Sequence, residues 1–266
     1  MESPSHHSGP RGPGRILLTA VLFAAPWSGA CEAVPRTSIE GEDDGVLFPT
    51  GRVSWQFSSS RSASPPGEDA AAAPVTSPTR TLAELDLSYG SGGFTQAIQE
   101  GEVVQVGSLP FAGVDEVDVD AQLWIADLAG RLERRWENGL GLGGRLGVRY
   151  SDLDLGLSAG ALRDSTDLSS LGLLVGGELS FEPAETLRLF LAGNASWGVE
   201  LSGVASGYEE LVISSLDLGL AWRVHESAQL VGAWRRLDYQ ADSVDDYLSD
   251  LELTLSGPML GLWVSF

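Results

Sequence analysis

The chain has 266 residues and a formal net charge of −21 at pH 7, from 16 basic residues, all arginine, against 37 acidic residues. This excess of negative charge disfavours nucleic acid as a partner, because the phosphates would be repelled. The sequence contains no run of about 18 or more apolar residues, which excludes a membrane-spanning helix.

Residues 1–30 have the pattern of a secretory signal peptide. Arg11 and Arg15 form a basic start, residues 16–25 form a short apolar core, and residues 28–30 are a small-residue cleavage site. The pattern predicts that the mature chain is exported.

Cys31 is the only cysteine, so an internal disulfide is impossible. Cleavage directly before Cys31 and cleavage before Val34 both fit the signal. Lipidation of Cys31 is an open alternative, although Ser28 stands where a lipoprotein signal usually has leucine.

Residues 31–50 are polar and acidic and predict a flexible segment ahead of a domain over residues 51–266. Residues 52–58 alternate, with Val53, Trp55 and Phe57 on one face, which predicts a short strand. Residues 59–80 are low-complexity, rich in Pro, Ala and Ser, and predict a disordered loop because they cannot bury a core.

A second candidate strand covers residues 81–89, and the glycine-rich stretch after it has a possible short strand at 103–106. From residue 117 the period-two alternation becomes regular and predicts seven strands. Their predicted ranges are 117–134, 140–155, 169–181, 186–200, 211–225, 228–239 and 249–266.

The connections between these strands are predicted to alternate in length. Residues 136–139, 182–185 and 226–227 form tight turns, whereas residues 156–168, 201–210 and 240–248 form longer loops. Tight turns at one end and longer loops at the other are typical of an up-and-down membrane β-barrel.

Seven strands and one earlier strand predict an eight-stranded antiparallel barrel. Either residues 52–58 or residues 81–89 supply that first strand, and the aromatic residues of 52–58 slightly favour the former. Glu84 and Asp86 are expected to face water. Use of both segments requires a further strand to keep an even number, which makes ten strands the alternative.

One face of each strand is rich in large apolar residues, and the other carries glycine, small residues and charges. In residues 140–150, for example, Leu142, Leu146 and Val148 alternate with Gly143 and Arg145. This predicts apolar side chains facing lipid and small or charged ones facing the interior. The alternative is a soluble barrel or sandwich with the apolar face inside.

The alternation changes phase along two strands. Leu153 and Leu155 are out of step with Val148, and Leu253 is out of step with Leu260. A β-bulge is the usual cause of such a change.

Charged residues on the predicted interior faces form the first candidate site. Inside a narrow barrel they must pair, because an unpaired buried charge is costly. The predicted network is Arg145, Arg149, Glu178, Arg188, Asp217 and Arg223, with Arg235, Asp118 and Asp120 as further candidates. A structural plug is the favoured role and a small gated pore is the alternative.

The second candidate feature is the C-terminal strand. Leu260, Leu262, Val264 and Phe266 alternate up to an aromatic final residue, as in the closing strand of an outer-membrane barrel, where they signal assembly. Trp263 and Trp124 are candidates to fill the interior, and the other tryptophans of the strands are expected at the membrane interfaces.

No catalytic or metal site is predicted. His225, Glu226 and Ser227 are adjacent in a turn and cannot converge on one substrate bond. The chain keeps one cysteine and one histidine after the signal, too few for a metal cluster of the usual spacing. We therefore expect no enzyme activity and no cofactor.

Residues 117–266 resemble the small eight-stranded outer-membrane barrels, the group around the OmpA transmembrane domain and OmpW. The resemblance rests on the strand and loop rhythm, on Gly-Ala-Trp-Arg at 232–235, and on residues 257–262 followed by Phe266. It implies a monomeric barrel in the outer membrane of a Gram-negative envelope. Its implied partners are outer-membrane lipids and the barrel-assembly machinery, which would engage the C-terminal strand.

The resemblance is specific for architecture only. A structural, surface-interaction or integrity role with acidic outer loops is the favoured expectation. A narrow pore or carrier for small or hydrophobic molecules, as OmpW-like proteins are thought to be, is the alternative.

Overall fold

The computed structural model describes residues 38–60, 79–202, 208–243 and 248–266, and its regular secondary structure in these ranges is all β-strand. In these ranges no helix is long and apolar enough to cross a membrane. The predicted signal peptide, Cys31 and most of the low-complexity loop fall outside the described residues.

Twelve strands make up the described chain. They are β1 Ile39–Asp43, β2 Phe48–Ser60, β3 Thr79–Ala97, β4 Val103–Val104, β5 Phe111–Ala112, β6 Glu116–Arg135, β7 Leu140–Ala159, β8 Leu162–Ala184, β9 Leu187–Ser202, β10 Tyr208–His225, β11 Ala228–Ser243 and β12 Leu251–Ser265. The seven strands predicted from residue 117 onward are β6 to β12, most of them longer than predicted. β1 and the start of β2 lie within residues 31–50, where a flexible segment was expected.

Ten of the strands form one sheet in the order β1-β12-β11-β10-β9-β8-β7-β6-β3-β2. From β2 to β12 along the chain, strands that are neighbours in this sheet pair antiparallel in an up-and-down order. The prediction of an all-β, antiparallel, up-and-down fold is therefore confirmed.

The two ends of this order are joined by a parallel pair. β2 pairs with β3 on one side and with β12 on the other, from Phe48 opposite Met259 to Ser54 opposite Ser265. β1 continues the same line and pairs in parallel with β12 from Ile39 opposite Leu251. Nine strands, β2, β3 and β6 to β12, thus follow one another in a closed order.

The prediction of eight strands is not confirmed. The sequence favours residues 52–58 over 81–89 as the first strand and leaves open the use of both; in the structure both are strands, and they pair with each other as β2 and β3. The expectation of an even number assumed that the first and last strands meet antiparallel. The parallel pairing of β2 with β12 removes that requirement.

The predicted long loop at residues 156–168 is also wrong. β7 ends at Ala159 and β8 begins at Leu162, so the connection is a tight turn in which Gly160 has a φ of +60°. Glycine adopts this left-handed conformation without a steric penalty. The strands β7 and β8 are therefore 20 and 23 residues long.

The change of phase seen in the sequence is a change of environment, and not a bulge. β6 and β7 keep continuous register from Asp118 opposite Ser158 to Arg135 opposite Gly141. Along β7, odd-numbered residues face the interior throughout, but they are Gly143 and Arg145 near one end and Leu153 and Leu155 near the other. The interior is polar toward the end that carries the β6–β7, β8–β9 and β10–β11 turns, here called the tight-turn end. It is apolar toward the opposite end, here called the loop end, where the β7–β8 turn lies.

The connection between β3 and β6 covers the apolar interior at the loop end. It contains the β4–β5 hairpin, and its residues Val104, Val106 and Phe111 are fully buried. The Ser249 amide donates to the Gln105 carbonyl at 2.8 Å, and the Leu109 amide donates to Asp164 Oδ2 at 2.8 Å. The segment therefore packs as a fixed cap on this end of the interior.

Candidate functional site

The charged interior toward the tight turns is the candidate site. Alternate residues of β2, β3 and β6 to β11 point into it because side chains alternate between the two faces of a strand. Its arginines are Arg52, Arg131, Arg145, Arg149, Arg188 and Arg235, and its acids are Glu84, Asp86, Asp127, Glu133, Glu178 and Asp217. The six positive and six negative charges cancel, so the excess negative charge of the chain lies outside this cluster.

Three pairs lie directly opposite each other on neighbouring strands, and each is bidentate. Arg149 donates to both oxygens of Asp127 at 2.7 and 2.9 Å. Arg235 does the same to Asp217 at 2.7 and 2.8 Å, and Arg52 to Asp86 at 2.5 and 3.0 Å. The planar guanidinium fork matches a carboxylate in this geometry, which gives the strongest form of such a pair.

Further ion pairs join strands that are not neighbours. Arg131 in β6 lies 2.9 Å from Glu178 in β8, and Arg145 in β7 lies 2.8 Å from Asp86 in β3. Arg188 donates to Glu178 within the β8–β9 hairpin. The Arg131–Glu178 and Arg145–Asp86 contacts brace the interior across strands that share no backbone hydrogen bonds.

Arg235 connects the two sides of the parallel seam. Besides its bidentate pair with Asp217, it donates to the Ser88 hydroxyl of β3 at 2.7 Å. Arg52 of β2 lies over the Trp263 ring of β12 at 4.2 Å, a cation–π distance. The charge cluster thus holds β2 and β3 to β11 and β12.

Glycines of β7 and β8 make room for the long arginines. A Cβ at Gly143 would lie 3.2 Å from two nitrogens of Arg131, and a Cβ at Gly176 would lie 2.2 Å from Asn194 Oδ1 and 2.9 Å from Arg145 Cγ. These two glycines therefore serve packing of the interior.

The space left inside the cluster is very small. A cavity of about 20 Å³ is lined by residues that include Arg52, Asp86, Arg145, Asp217 and Arg235. A neighbouring cavity of about 10 Å³ lies beside Arg131 and Glu178. Spaces of this size hold about one water molecule and admit no larger solute.

The outward face of the same strands is a belt of exposed large apolar side chains. On β7, Leu142 and Leu146 are 54% and 59% exposed, and Leu173 on β8 is 55% exposed. The other exposed members are Leu87, Leu128, Leu132, Leu140, Val148, Leu171, Val175, Leu179, Leu189, Leu191, Leu216, Leu218, Leu220, Leu230, Leu260 and Leu262.

Exposed aromatic residues lie at both borders of this belt. Toward the tight turns they are Trp55, Phe57, Trp136, Phe181, Trp222 and Phe266. Toward the loop end they are Trp124, Tyr150, Trp197 and Trp234, although on β9 the apolar residues Val199 and Leu201 are exposed beyond Trp197. Beyond Tyr150 the outward residues become acidic, with Asp154 exposed and Asp152 half-buried, and beyond Trp124 they become Gln122 and Asp120.

The structure brings five of the six predicted network residues together: Arg145, Arg149, Glu178, Arg188 and Asp217. Arg223 lies at the tight-turn end beside Glu182 and Arg188, and within the described chain it has no ion pair. Two further candidates, Asp118 and Asp120, are exposed on the outer face of β6.

The sequence interpretation missed half of the cluster. Glu84 and Asp86, expected to face water, point inward, where Glu84 is 2% exposed. Arg52, Asp127, Arg131 and Glu133 were also missed. The alternation of β2 and β6 could have identified them, because Arg52 lies on the same face as Ser54, and the three β6 residues lie on the same face as Ala129. The sequence interpretation did not say which face of these two strands points inward.

The C-terminal residues lie on the outer face at the seam. Leu260 and Leu262 are exposed, Val264 is half-buried, and Phe266 is 72% exposed. The Phe266 amide donates to the Ser54 carbonyl at 2.9 Å. Trp263 points inward as expected, whereas Trp124 is exposed and does not fill the interior.

The His225–Ser227 turn forms only a local contact. His225 Nδ1 lies 3.0 Å from Ser227 Oγ within the exposed β10–β11 turn. Among the described residues, no group of three or more His, Cys, Asp and Glu side chains is arranged to hold a metal ion.

Comparison of the chain with models of protein families, with curated proteins and with solved structures finds no match.

Proposed function

We propose that this chain is a transmembrane β-barrel of a bacterial outer membrane, with a closed, charge-paired interior and a structural or surface-interaction role. Its direct partners are the lipids of that membrane. Its C-terminal strand is the segment that the barrel-assembly machinery engages. It performs no catalysis.

The observation that carries the proposal is the reversed polarity of the strands toward the tight turns. Leu142, Leu146 and Leu173 are exposed, while arginines and carboxylates fill the interior behind them. In water a monomeric protein rarely exposes an apolar patch of more than a few hundred Å². Lipid stabilises this arrangement, because it solvates the outer side chains and leaves the charges to pair inside.

The height of the apolar belt supports the same proposal. On β7 the outward residues run from Leu140 to Tyr150 before acidic residues begin. Ten residue steps of about 3.3 Å, tilted by about 40°, span about 25 Å, the height of the apolar band of outer-membrane barrels. The two aromatic rows fit the interfacial girdles of such proteins.

A structural role is favoured over transport because the interior is filled. The cavities within the charge cluster hold about 20 and 10 Å³, and the β4–β5 segment covers the loop end. The outer face at the loop end carries acidic side chains, among them Asp120, Asp154 and Asp167. We infer that this acidic surface is the part that meets partners outside the bilayer.

The test compares two arginine substitutions on the outward face of β8. Leu173→Arg lies in the apolar belt, and Asp167→Arg lies six residues away, beyond the belt. On the lipid face of a barrel, arginine costs about 2–4 kcal/mol at the bilayer midplane and about 0–1 kcal/mol near the interface. Leu173 lies between these two depths, opposite Trp197, so its replacement should cost more than that of Asp167.

In lipid vesicles we expect Leu173→Arg to lower the yield of heat-modifiable folded protein and the urea unfolding midpoint. We expect Asp167→Arg to keep both at or slightly above the wild-type values, because it also removes the repulsion between Asp167 and Asp154. A protein that stays soluble without detergent or lipid, or a Leu173→Arg variant that folds as well as Asp167→Arg, contradicts the proposal.

A further inference from the structure

The parallel seam decides where the two ends of the described chain lie. Parallel neighbours run in the same direction, so the start of β1 lies beside the start of β12, and β2 lies beside the end of β12. Ile39 pairs with Leu251, and Ser54 pairs with Ser265. The chain therefore enters the sheet at the end opposite to Phe266.

Side-chain contacts hold the entering segment at the loop end. Gln96 Nε2 donates to the Ser38 carbonyl at 2.7 Å, and Asp43 Oδ2 accepts from the Gly93 amide at 3.0 Å. The Ile39 amide donates to the Asp250 carbonyl at 2.8 Å. Ile39 itself is fully buried. These bonds tie the entering segment to the rim formed by the end of β3 and the start of β12.

Backbone hydrogen bonds hold Phe266 at the tight-turn end. Its amide donates to the Ser54 carbonyl at 2.9 Å, and its carbonyl accepts from the Gln56 amide at 3.1 Å. The Ser265 amide donates to the Ser227 carbonyl in the β10–β11 turn. An up-and-down barrel with an even number of strands has both chain ends on one side, and nine strands place them on opposite sides.

We propose that Ser38 and Phe266 lie on opposite sides of the membrane. This rests on the proposed function, because the two ends are separated by a bilayer only if the apolar belt is embedded in one. Ser38 then shares its side with Asp115 and the β4–β5 cap. Phe266 shares its side with the tight turns at Glu137 and Glu226.

The test uses four single cysteines in the full-length chain expressed in cells, with Cys31→Ser removing the native thiol. Ser38→Cys is the test position, Asp115→Cys marks the loop end, and Glu137→Cys and Glu226→Cys mark the tight-turn end. The three marker residues are exposed and Ser38 is half-buried. A membrane-impermeant maleimide is applied to intact cells, to permeabilised cells, and to detergent-solubilised protein, in which all four thiols must react.

We expect Ser38→Cys and Asp115→Cys to label under the same condition, and the two turn cysteines under the other. Either absolute orientation supports the inference, because it concerns relative sides. Labelling of Ser38→Cys together with Glu226→Cys, while Asp115→Cys differs, overturns the inference and leaves the membrane proposal intact. Equal labelling of all four in intact cells, with the protein in the soluble fraction, overturns the proposed function and the inference with it.

Discussion

Arg131 and Glu178 form an ion pair at 2.9 Å although β7 separates their strands. The pair is possible because Gly143, which lies between them in the sheet, has no side chain: Glu178 is directly opposite Gly143, and a Cβ there would lie 3.2 Å from Arg131 Nε. The interior charge network therefore depends on glycine at this position as much as on the charges.

Gly143→Val is expected to destabilise the fold by about 1–3 kcal/mol, the usual cost of overpacking. The added side chain pushes Arg131 away from Glu178. Urea unfolding in detergent micelles or lipid vesicles measures the change.

Gly144→Val is the matched control, since the neighbouring Gly144 faces outward and a Cβ there meets nothing within 4 Å. Both variants gain the strand preference of valine, so the difference between them reports the interior contact. Equal midpoints for the two variants would contradict this account of Gly143.

Removal of one partner of the Arg149–Asp127 pair is expected to lower the free energy of unfolding strongly, whereas replacement of both partners by apolar residues is expected to lower it little. Asp127→Leu or Arg149→Met alone leaves a buried charge with a weakened partner set and should cost about 3–5 kcal/mol. The double variant removes both charges and should recover most of that loss. A double-mutant cycle of urea unfolding free energies measures the coupling, and additive losses would show that the pair is not a unit.

The Asp154–Asp167 pair on the outer face at the loop end should make a small pH-dependent contribution to the free energy of unfolding. A hydrogen bond from Asp167, and then partial burial, raises the pKa of Asp154 above its ordinary 3.8. Because the folded state binds this proton more tightly than the unfolded state, the protonated pair stabilises the fold below pH 3.8. This stabilisation is lost as the pH rises through the raised pKa of Asp154.

Asp154→Asn should therefore unfold later in urea than the wild type near neutral pH and lose that advantage in acid. The double variant with Asp167→Asn is the control, and it should match the single variant because the two carboxyls share one interaction. A difference between wild type and Asp154→Asn that does not vary with pH would argue against the shared proton.

The filled interior predicts that the purified protein gives no steady ion conductance in planar lipid bilayers. Cavities of about 20 and 10 Å³ do not connect into a water-filled path of ionic width. Glu178→Ala removes the acid that pairs with Arg131 and Arg188. This variant tests whether the charge cluster is what blocks ion flow through the interior. Steady channels in the wild type would favour the narrow-pore alternative.

The sequence by itself determined the strands from residue 117 onward, because period-two alternation between turn signals is a local property. It also separated the two faces, so that Arg145, Arg149, Glu178, Arg188 and Asp217 were recognised as sharing one side of their strands. The alternation of leucine with glycine and arginine along a single strand is enough to distinguish its two faces, and no contact with a distant part of the chain is needed.

Only the tertiary structure decided how the strands close and what the interior holds at each height. The parallel pairing of Ile39 and Ser54 with β12 joins residues more than 200 positions apart, and no local pattern specifies it. Local pattern also does not specify the environment of the leucines in β7. On the loop-end side of Tyr150, Leu153 points inward, whereas on the other side Leu146 points outward. Alternation reports that a strand has two faces, but the polarity of each face depends on which solvent or neighbouring side chains it meets.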